Sequence, residues 1–434
     1  MRTYKYGIRP ETYLSILSDS YPFIIVVSSI FSSRERERER ERKSVLERDR
    51  SWRFQFYVNF SPIRGSAKDK GGVFSCEPSF QNHSPLLKKE MALRFICSLL
   101  FVVLLIVSLG GVESKAHHRE KRRVLFVFGD SYADTGNFRK SVSPSWKQPY
   151  GITFPGKPAG RFSDGRVLTD FLAKFLGVRS PIPYTWRKIN PSLQRYGVNF
   201  AIGGTGVFTT LNAMANMTVQ IDSFERLLRQ GVICQNDLDR SVALVSLAGN
   251  DYSAYLERNG SAEGLQPFII AVVKQLSLNL QRLQGLGVKK IAVTTMEPLG
   301  CLPSSTQVLS YKQCNETQNA ATSFHNLLLE QEVQNLNKEA NNSSNIVIFD
   351  LFNSFNSVLK TPSGQGKFVD SLRPCCDGFT VTDRCGSIDK SGRATYNICS
   401  NPETTFFWDS VHPTQSAWAA IVSYLRPSVE ALAS

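Results

Sequence analysis

Residues 122–434 predict a single α/β domain, a parallel sheet covered on both faces by helices. Three observations carry this expectation. Apolar runs of four to six residues recur without polar alternation, the pattern of strands buried on both faces. Segments of helical length and periodicity separate these runs. No internal repeat points instead to a solenoid or propeller.

In chain order, Val124 to Phe128 (VLFVF) is the first strand run. Val242 to Leu247 (VALVSL), Lys290 to Thr294 (KIAVT) and Ile346 to Phe349 (IVIF) repeat the signal. Pro267 to Leu286 places apolar residues at helical spacing and stops at Gly287, a residue type that ends helices readily. Thr317 to Ala340 forms a long amphipathic stretch, and Thr414 to Leu432 closes the chain. With 434 residues, 42% hydrophobic and 20% charged, the chain can bury a sizeable core and is neither collagen-like nor wholly disordered.

Residues 1–90 read differently. Arg34 to Lys43 (RERERERERK) is a dipeptide tract with no apolar face to bury, the product expected of a translated GA-rich microsatellite. Met91 then opens a second beginning. Arg94 supplies a positive start, Phe95 to Leu109 an apolar run, and Gly110 and Gly111 small residues before a polar stretch. Residues 91–115 therefore read as a secretory signal peptide, and residues 1–90 as a gene-model artefact or a disordered leader. The apolar run falls short of the ~20 residues of a membrane span, so cleavage is expected rather than a stable transmembrane anchor.

The net charge of +14 invites a nucleic-acid reading, which its distribution removes. The first 123 residues hold 23 basic and 13 acidic side chains, against 28 and 24 in the remainder. The basicity belongs to the leader, and no nucleic-acid partner is expected. Seven cysteines follow the signal: Cys234, Cys301, Cys314, Cys375, Cys376, Cys385 and Cys399. The last four lack paired C-x-x-C knuckles and a nearby His pair, so disulfides in an oxidising compartment are expected, with one thiol left over. Sequons at Asn216, Asn259, Asn315, Asn341 and Asn342 agree with export and glycosylation.

Active groups in an open parallel sheet gather at the C-terminal ends of its strands. After the first run comes Gly129-Asp130-Ser131-Tyr132, which places a serine at the mouth of the site. After the second comes Gly249-Asn250-Asp251, and after the third the less informative Met296-Glu297-Pro298-Leu299-Gly300. A serine nucleophile needs a base, and the chain has five histidines: His83, His117, His118, His325 and His412. The first three fall in the leader or beside the signal boundary, and His325 sits mid-helix as a packed or solvent-facing ring. His412 remains, with Asp409 three residues earlier to hold one ring nitrogen. Alone, Asp409-x-x-His412 is equally a turn and helix cap. The Gly-rich turn Asn199 to Gly206 and the amide of Asn250 are candidate oxyanion donors, and in isolation a tight loop and a helix cap.

The order of these blocks resembles the SGNH hydrolases, and more closely the plant GDSL esterase/lipase branch. The resemblance spans nearly all of Met91 to Ser434, including Gly160 to Arg166 (GRFSDGR) and Pro298 to Pro303 (PLGCLP). It implies a flavodoxin-like three-layer sandwich and a secreted serine hydrolase of carboxylic esters. The implied catalytic residues are Ser131, Asp409 and His412, with an oxyanion hole from Ser131, Gly204 and Asn250. It implies no cofactor and no metal. An acyl ester is the expected partner; acyl transfer on the same triad, or a silent binding protein on the same scaffold, are the alternatives. The natural ester, the oligomeric state and the compartment (cell wall, apoplast or vacuole) stay open. One departure stands out: Tyr132 occupies the position where the name motif has Leu, with an expected effect on the entrance or the acyl pocket. The G-x-S-x-G elbow of the α/β-hydrolases is absent, since Ala133 takes its last position.

Overall fold

The computed structural model describes residues 123–433 except 190, 211–215, 248, 342–343, 360–365 and 381. The leader, the signal segment with its flanking histidines, and the Asn342 sequon lie outside the described residues.

Six parallel strands form the central sheet: β1 (Val124–Gly129), β2 (Ile182–Pro183), β3 (Val198–Asn199), β4 (Ser241–Ser246), β5 (Lys290–Thr294) and β6 (Asn345–Phe349). Their order is β2-β3-β1-β4-β5-β6. Discounting the two-residue edge strand β2, this is the flavodoxin-like order, with β1 at the position where the winding reverses. Among the described residues, eight helices of eight residues or more surround it: α1 (Leu168–Phe175), α2 (Met217–Arg229), α3 (Asn250–Glu257), α4 (Ala262–Gly285), α5 (Glu316–Glu339), α6 (Leu351–Leu359), α7 (Gln415–Tyr424) and α8 (Arg426–Ala433).

Strand alternation sorts the two cores. Val124, Phe126 and Phe128 point to one face, where they meet Phe224 of α2, Leu276 and Leu280 of α4 and Leu329 of α5. Leu125 and Val127 point to the other, against Leu172 of α1, Phe355 of α6 and Trp418 of α7. Both faces of the sheet are dry, which is why its strands read as continuous apolar runs rather than alternating ones.

The four expected strands stand within a residue of their expected bounds. The short strands β2 and β3 carry too few residues to show a pattern. The expected closing helix is two helices, α7 and α8, which part at Tyr424–Arg426 where Pro427 cannot continue the ladder. Helix α4 begins earlier than expected, at Ala262, because the Ser261 hydroxyl accepts from Gly264 N–H and caps it.

A small antiparallel pair, β7 (Cys376–Gly378) with β8 (Tyr396–Ile398), is stapled by the disulfides Cys375–Cys399 and Cys376–Cys385. A third disulfide joins Cys301 to Cys314, and Cys234 is the free, exposed thiol among the described residues. The β7 segment hydrogen-bonds the chain just before Asp409, through Cys375 N–H to Phe407 O at 2.9 Å and Cys376 N–H to Trp408 O at 2.7 Å.

Candidate active site

The register of three adjacent strands brings three loops to one edge. Gly129 pairs with Ser246 across β1 and β4, and Ile202 N–H bonds Gly129 O at 3.0 Å beyond β3. The loops carrying Ser131, Gly204 and Asn250 therefore leave the sheet side by side. Glycine is required at 129: its φ is +145°, and a Cβ there would stand 2.0 Å from Ser246 O.

His412 arrives from a turn before α7. Its Nε2 lies 2.8 Å from Ser131 Oγ, and its Nδ1 lies 2.8 Å from each Asp409 carboxylate oxygen. Asp409 Oδ1 also accepts the N–H groups of Val411 at 2.9 Å and His412 at 2.8 Å. The Tyr150 hydroxyl donates to Asp409 Oδ2 at 2.7 Å. Burial disfavours the Asp409 carboxylate, but attraction to His412 and the hydrogen bonds from His412, Tyr150 and Val411 outweigh it, so its pKa lies below the usual range. Burial and the neighbouring Asp409 charge push the Tyr150 hydroxyl far above its ordinary value, so it stays a donor.

Two backbone donors stand ready. Among the described residues, the N–H groups of Ser131 and Gly204 bond no other group, and Gly204 is held in the left-handed region at φ +82°. The Asn250 amide, the third candidate donor, is hydrogen-bonded within the fold. Its Nδ2 donates to Asp130 Oδ2 at 2.9 Å and to Thr205 O at 3.0 Å, which ties the Asn250 loop to the segment before Ser131 and to the Gly-rich turn. Asp251 accepts the N–H groups of Val207 at 2.7 Å and Phe208 at 2.9 Å and so pins the Gly-rich turn.

The Gly160 to Arg166 segment clasps the histidine turn. Phe162 stacks on the His412 ring with centroids 5.0 Å apart, Ser163 Oγ donates to Pro413 O at 3.0 Å, and Asp164 Oδ1 accepts Gln415 N–H at 2.7 Å. Tyr132, expected to bear on the entrance or the acyl pocket, packs against the histidine turn. It is buried beneath the histidine, with its ring 5.9 Å from the His412 ring and its hydroxyl donating to Val411 O at 2.9 Å. His325 is the packed ring: Nδ1 faces the Tyr252 hydroxyl at 2.7 Å, and burial lowers its pKa to about 4, which keeps it neutral.

Two residues that sequence reasoning passed over matter here. Tyr150 lies 259 positions from the carboxylate it bonds, and no local pattern marks it. Glu297 follows β5 and is fully buried beside Tyr132 and Asp130. Burial, reinforced by the Asp130 charge, raises its pKa to about 8.

A cleft of about 620 Å³ opens over Gly204, Asp409 and His412, walled by Phe138, Tyr150 and Phe162. A separate, mainly apolar cavity of about 560 Å³ lies among α3, α4 and α5, lined by Leu256, Leu265, Ile269 and Leu302.

The GDSL-like Lipase/Acylhydrolase family model matches residues 125–425. The chain belongs to the GDSL lipase/acylhydrolase family. The GDSL esterase/lipase At5g03610 of Arabidopsis thaliana is 51% identical over 348 residues, covering 78% of this chain and 97% of the relative. The GDSL esterase/lipase At3g09930 of the same plant is 47% identical over 334 residues, covering 75% and 94%. Among solved structures, an acetylxylan esterase of Geobacillus stearothermophilus, the Axe2 S15A mutant, aligns at 14% identity and a TM-score of 0.33, covering 71% of this chain and 94% of that one. This GDSL chain is thus a carboxylic ester hydrolase with the SGNH fold, and small-molecule esters are its substrates.

Proposed function

We propose that this GDSL enzyme cleaves its esters through an acyl-enzyme on Ser131. Ser131 Oγ attacks the ester carbonyl carbon while His412 Nε2 accepts its proton. Asp409 fixes the ring through Nδ1 and offsets the imidazolium charge. The tetrahedral oxyanion rests on the Ser131 and Gly204 N–H groups, and the Asn250 amide shares one of its hydrogens with it. His412 then protonates the leaving alkoxide, and water repeats the sequence on the acyl-enzyme. No step calls for a metal or organic cofactor.

The observation that carries this reading is the unbroken chain from Ser131 Oγ through His412 to Asp409, each link 2.8 Å. Hydrolysis of p-nitrophenyl esters from acetate to palmitate, by wild type and Ser131→Ala, tests it. Activity lost in the variant by a factor on the order of 10⁴ supports the assignment, and equal activity of the two folded proteins sinks it.

Export belongs to the same proposal. Translation starts at Met91, residues 91–115 are removed as a signal peptide, and the domain of residues 122–434 is secreted as a glycoprotein. Three disulfides support an oxidising compartment. The sequon residues Asn259 and Asn341 are exposed, and no described helix is long and apolar enough to cross a membrane.

A further inference from the structure

The cleft above His412 has a charge imbalance that the mechanism does not use. Its charged lining is Lys147, Arg384 and Asp409. Asp409 is already committed to His412, Tyr150 and two backbone N–H groups. Neither Lys147 nor Arg384 makes an ion pair or a side-chain hydrogen bond with any described residue, and both are exposed to the cleft solvent. The acids nearest Arg384 in sequence are spent elsewhere. Asp383 accepts from Thr380 and Thr395, each at 2.8 Å, and Asp389 from Ser391 at 2.6 Å and Arg393 at 3.1 Å.

The two cations come from different segments that the fold holds together. Arg384 adjoins Cys385, which is buried and disulfide-bonded to Cys376. Two residues on, Gly386 packs so closely that a Cβ would stand 3.0 Å from Gln148 O, the residue after Lys147. Arg384 also stands near enough to Tyr150 for its charge to act on that hydroxyl. Lys147 and Arg384 line one cleft, where like charges repel and a bound anion would offset that cost.

We propose that Lys147 and Arg384 form an anion subsite for the alcohol half of the substrate, so that the enzyme prefers esters whose leaving alcohol carries a negative charge. The inference rests on His412 being the general acid. That group must reach the leaving oxygen, and His412 lines this cleft, so the alcohol half occupies it. The aromatic walls Phe138, Tyr150 and Phe162 suit a flat phenolic or sugar ring between the charge and the ester. The apolar cavity among α3, α4 and α5 shares none of these lining residues. The bond changes are unaltered: the acyl carbon passes from alcohol oxygen to Ser131 Oγ, and His412 returns its proton to the alcohol.

Two acetate esters test the subsite, those of 4-hydroxybenzoate and of its neutral methyl ester, with the ratio of their kcat/KM values as the readout. In Lys147→Gln/Arg384→Gln that ratio is expected to fall about tenfold against wild type, mainly through KM, as for two partly solvated ion pairs. Salt at 0.5 M should shrink the wild-type ratio and leave the variant's nearly unmoved. In Lys147→Glu/Arg384→Glu the ratio should fall further, and an acetate ester of a trimethylammonium phenol should gain. A ratio that neither variant moves, or a loss equal for both esters, overturns the subsite. Ser131→Ala, assayed on the neutral ester, tests the nucleophile separately, so a failed subsite and a failed mechanism give different results.

Discussion

At the scale of single residues, the carboxylate behind the histidine is the most closely specified group in the site. Tyr150 gives Asp409 a charge-assisted hydrogen bond inside a buried pocket. Tyr150→Phe removes that donor without changing the ring. The expected result is a fall in kcat of about tenfold with KM little changed, since bonds to charged groups are worth roughly 1.5–3 kcal/mol. Asp409 loses one of the bonds that depress its pKa, so the acid limb of the pH–kcat profile should move to higher pH. Glu297 behaves in the opposite sense. Its pKa is raised in the fold to about 8, so the unfolded chain ionises first as pH rises. Its contribution is whole below its unfolded pKa and is lost progressively up to about pH 8. Glu297→Gln is isosteric with the protonated acid. Urea unfolding should show the variant gaining on wild type between pH 5 and pH 8, by a few kcal/mol at most. A constant gap across that range would mean Glu297 is ionised in the fold.

At the scale of elements, the β7–β8 pair supports the segment that presents Asp409 and His412. Its hydrogen bonds to Phe407 and Trp408 join a disulfide-stapled unit to the stretch before the turn that holds Asp409 and His412. Replacing Cys376 and Cys385 together by Ser opens a loop whose ends are 9 residues apart. Chain-entropy reasoning puts the loss at roughly 2–3 kcal/mol. Thermal unfolding should register that loss while far-UV circular dichroism of the sheet core stays unchanged. The Gly160 to Arg166 segment is the second support. Arg161 forms a two-bond ion pair with Asp170 at 2.8 Å, with side chains only 14% and 4% exposed. Asp170→Ala leaves the guanidinium buried and unpaired, and a destabilisation of about 3–5 kcal/mol is expected in denaturant titration.

At the scale of the molecule, the charge divides the chain as the proposed processing does. Most of the +14 sits before residue 124, ahead of the domain that carries the sheet. N-terminal sequencing of the exported protein should begin close to residue 116. Peptides from residues 1–90 in the cell's proteome would overturn the start at Met91.

How much of this was legible in the sequence follows from the range of each interaction. Ser131 and Asn250 could be placed because a buried parallel strand announces itself as a short apolar run and its C-terminal end faces the site. His412 could be placed because the chain offers so few other bases. The four long strands and their helices were readable for the same local reason, since burial on both faces leaves no polar position. The two-residue strand β3 was not, and with it the position of Gly204 beside Ser131. Tyr150 on Asp409, Tyr132 against His412, the Asn250 amide tied to Asp130, and Lys147 and Arg384 on one cleft were decided only by tertiary structure. Each pairs residues that are distant in the chain, brought together by strand order, close glycine packing and disulfide closure, none of which leaves a periodic trace. Sequence alone singled out the candidate groups for the chemistry; the fold decided their environment, because desolvation and hydrogen bonding depend on neighbours that only folding supplies.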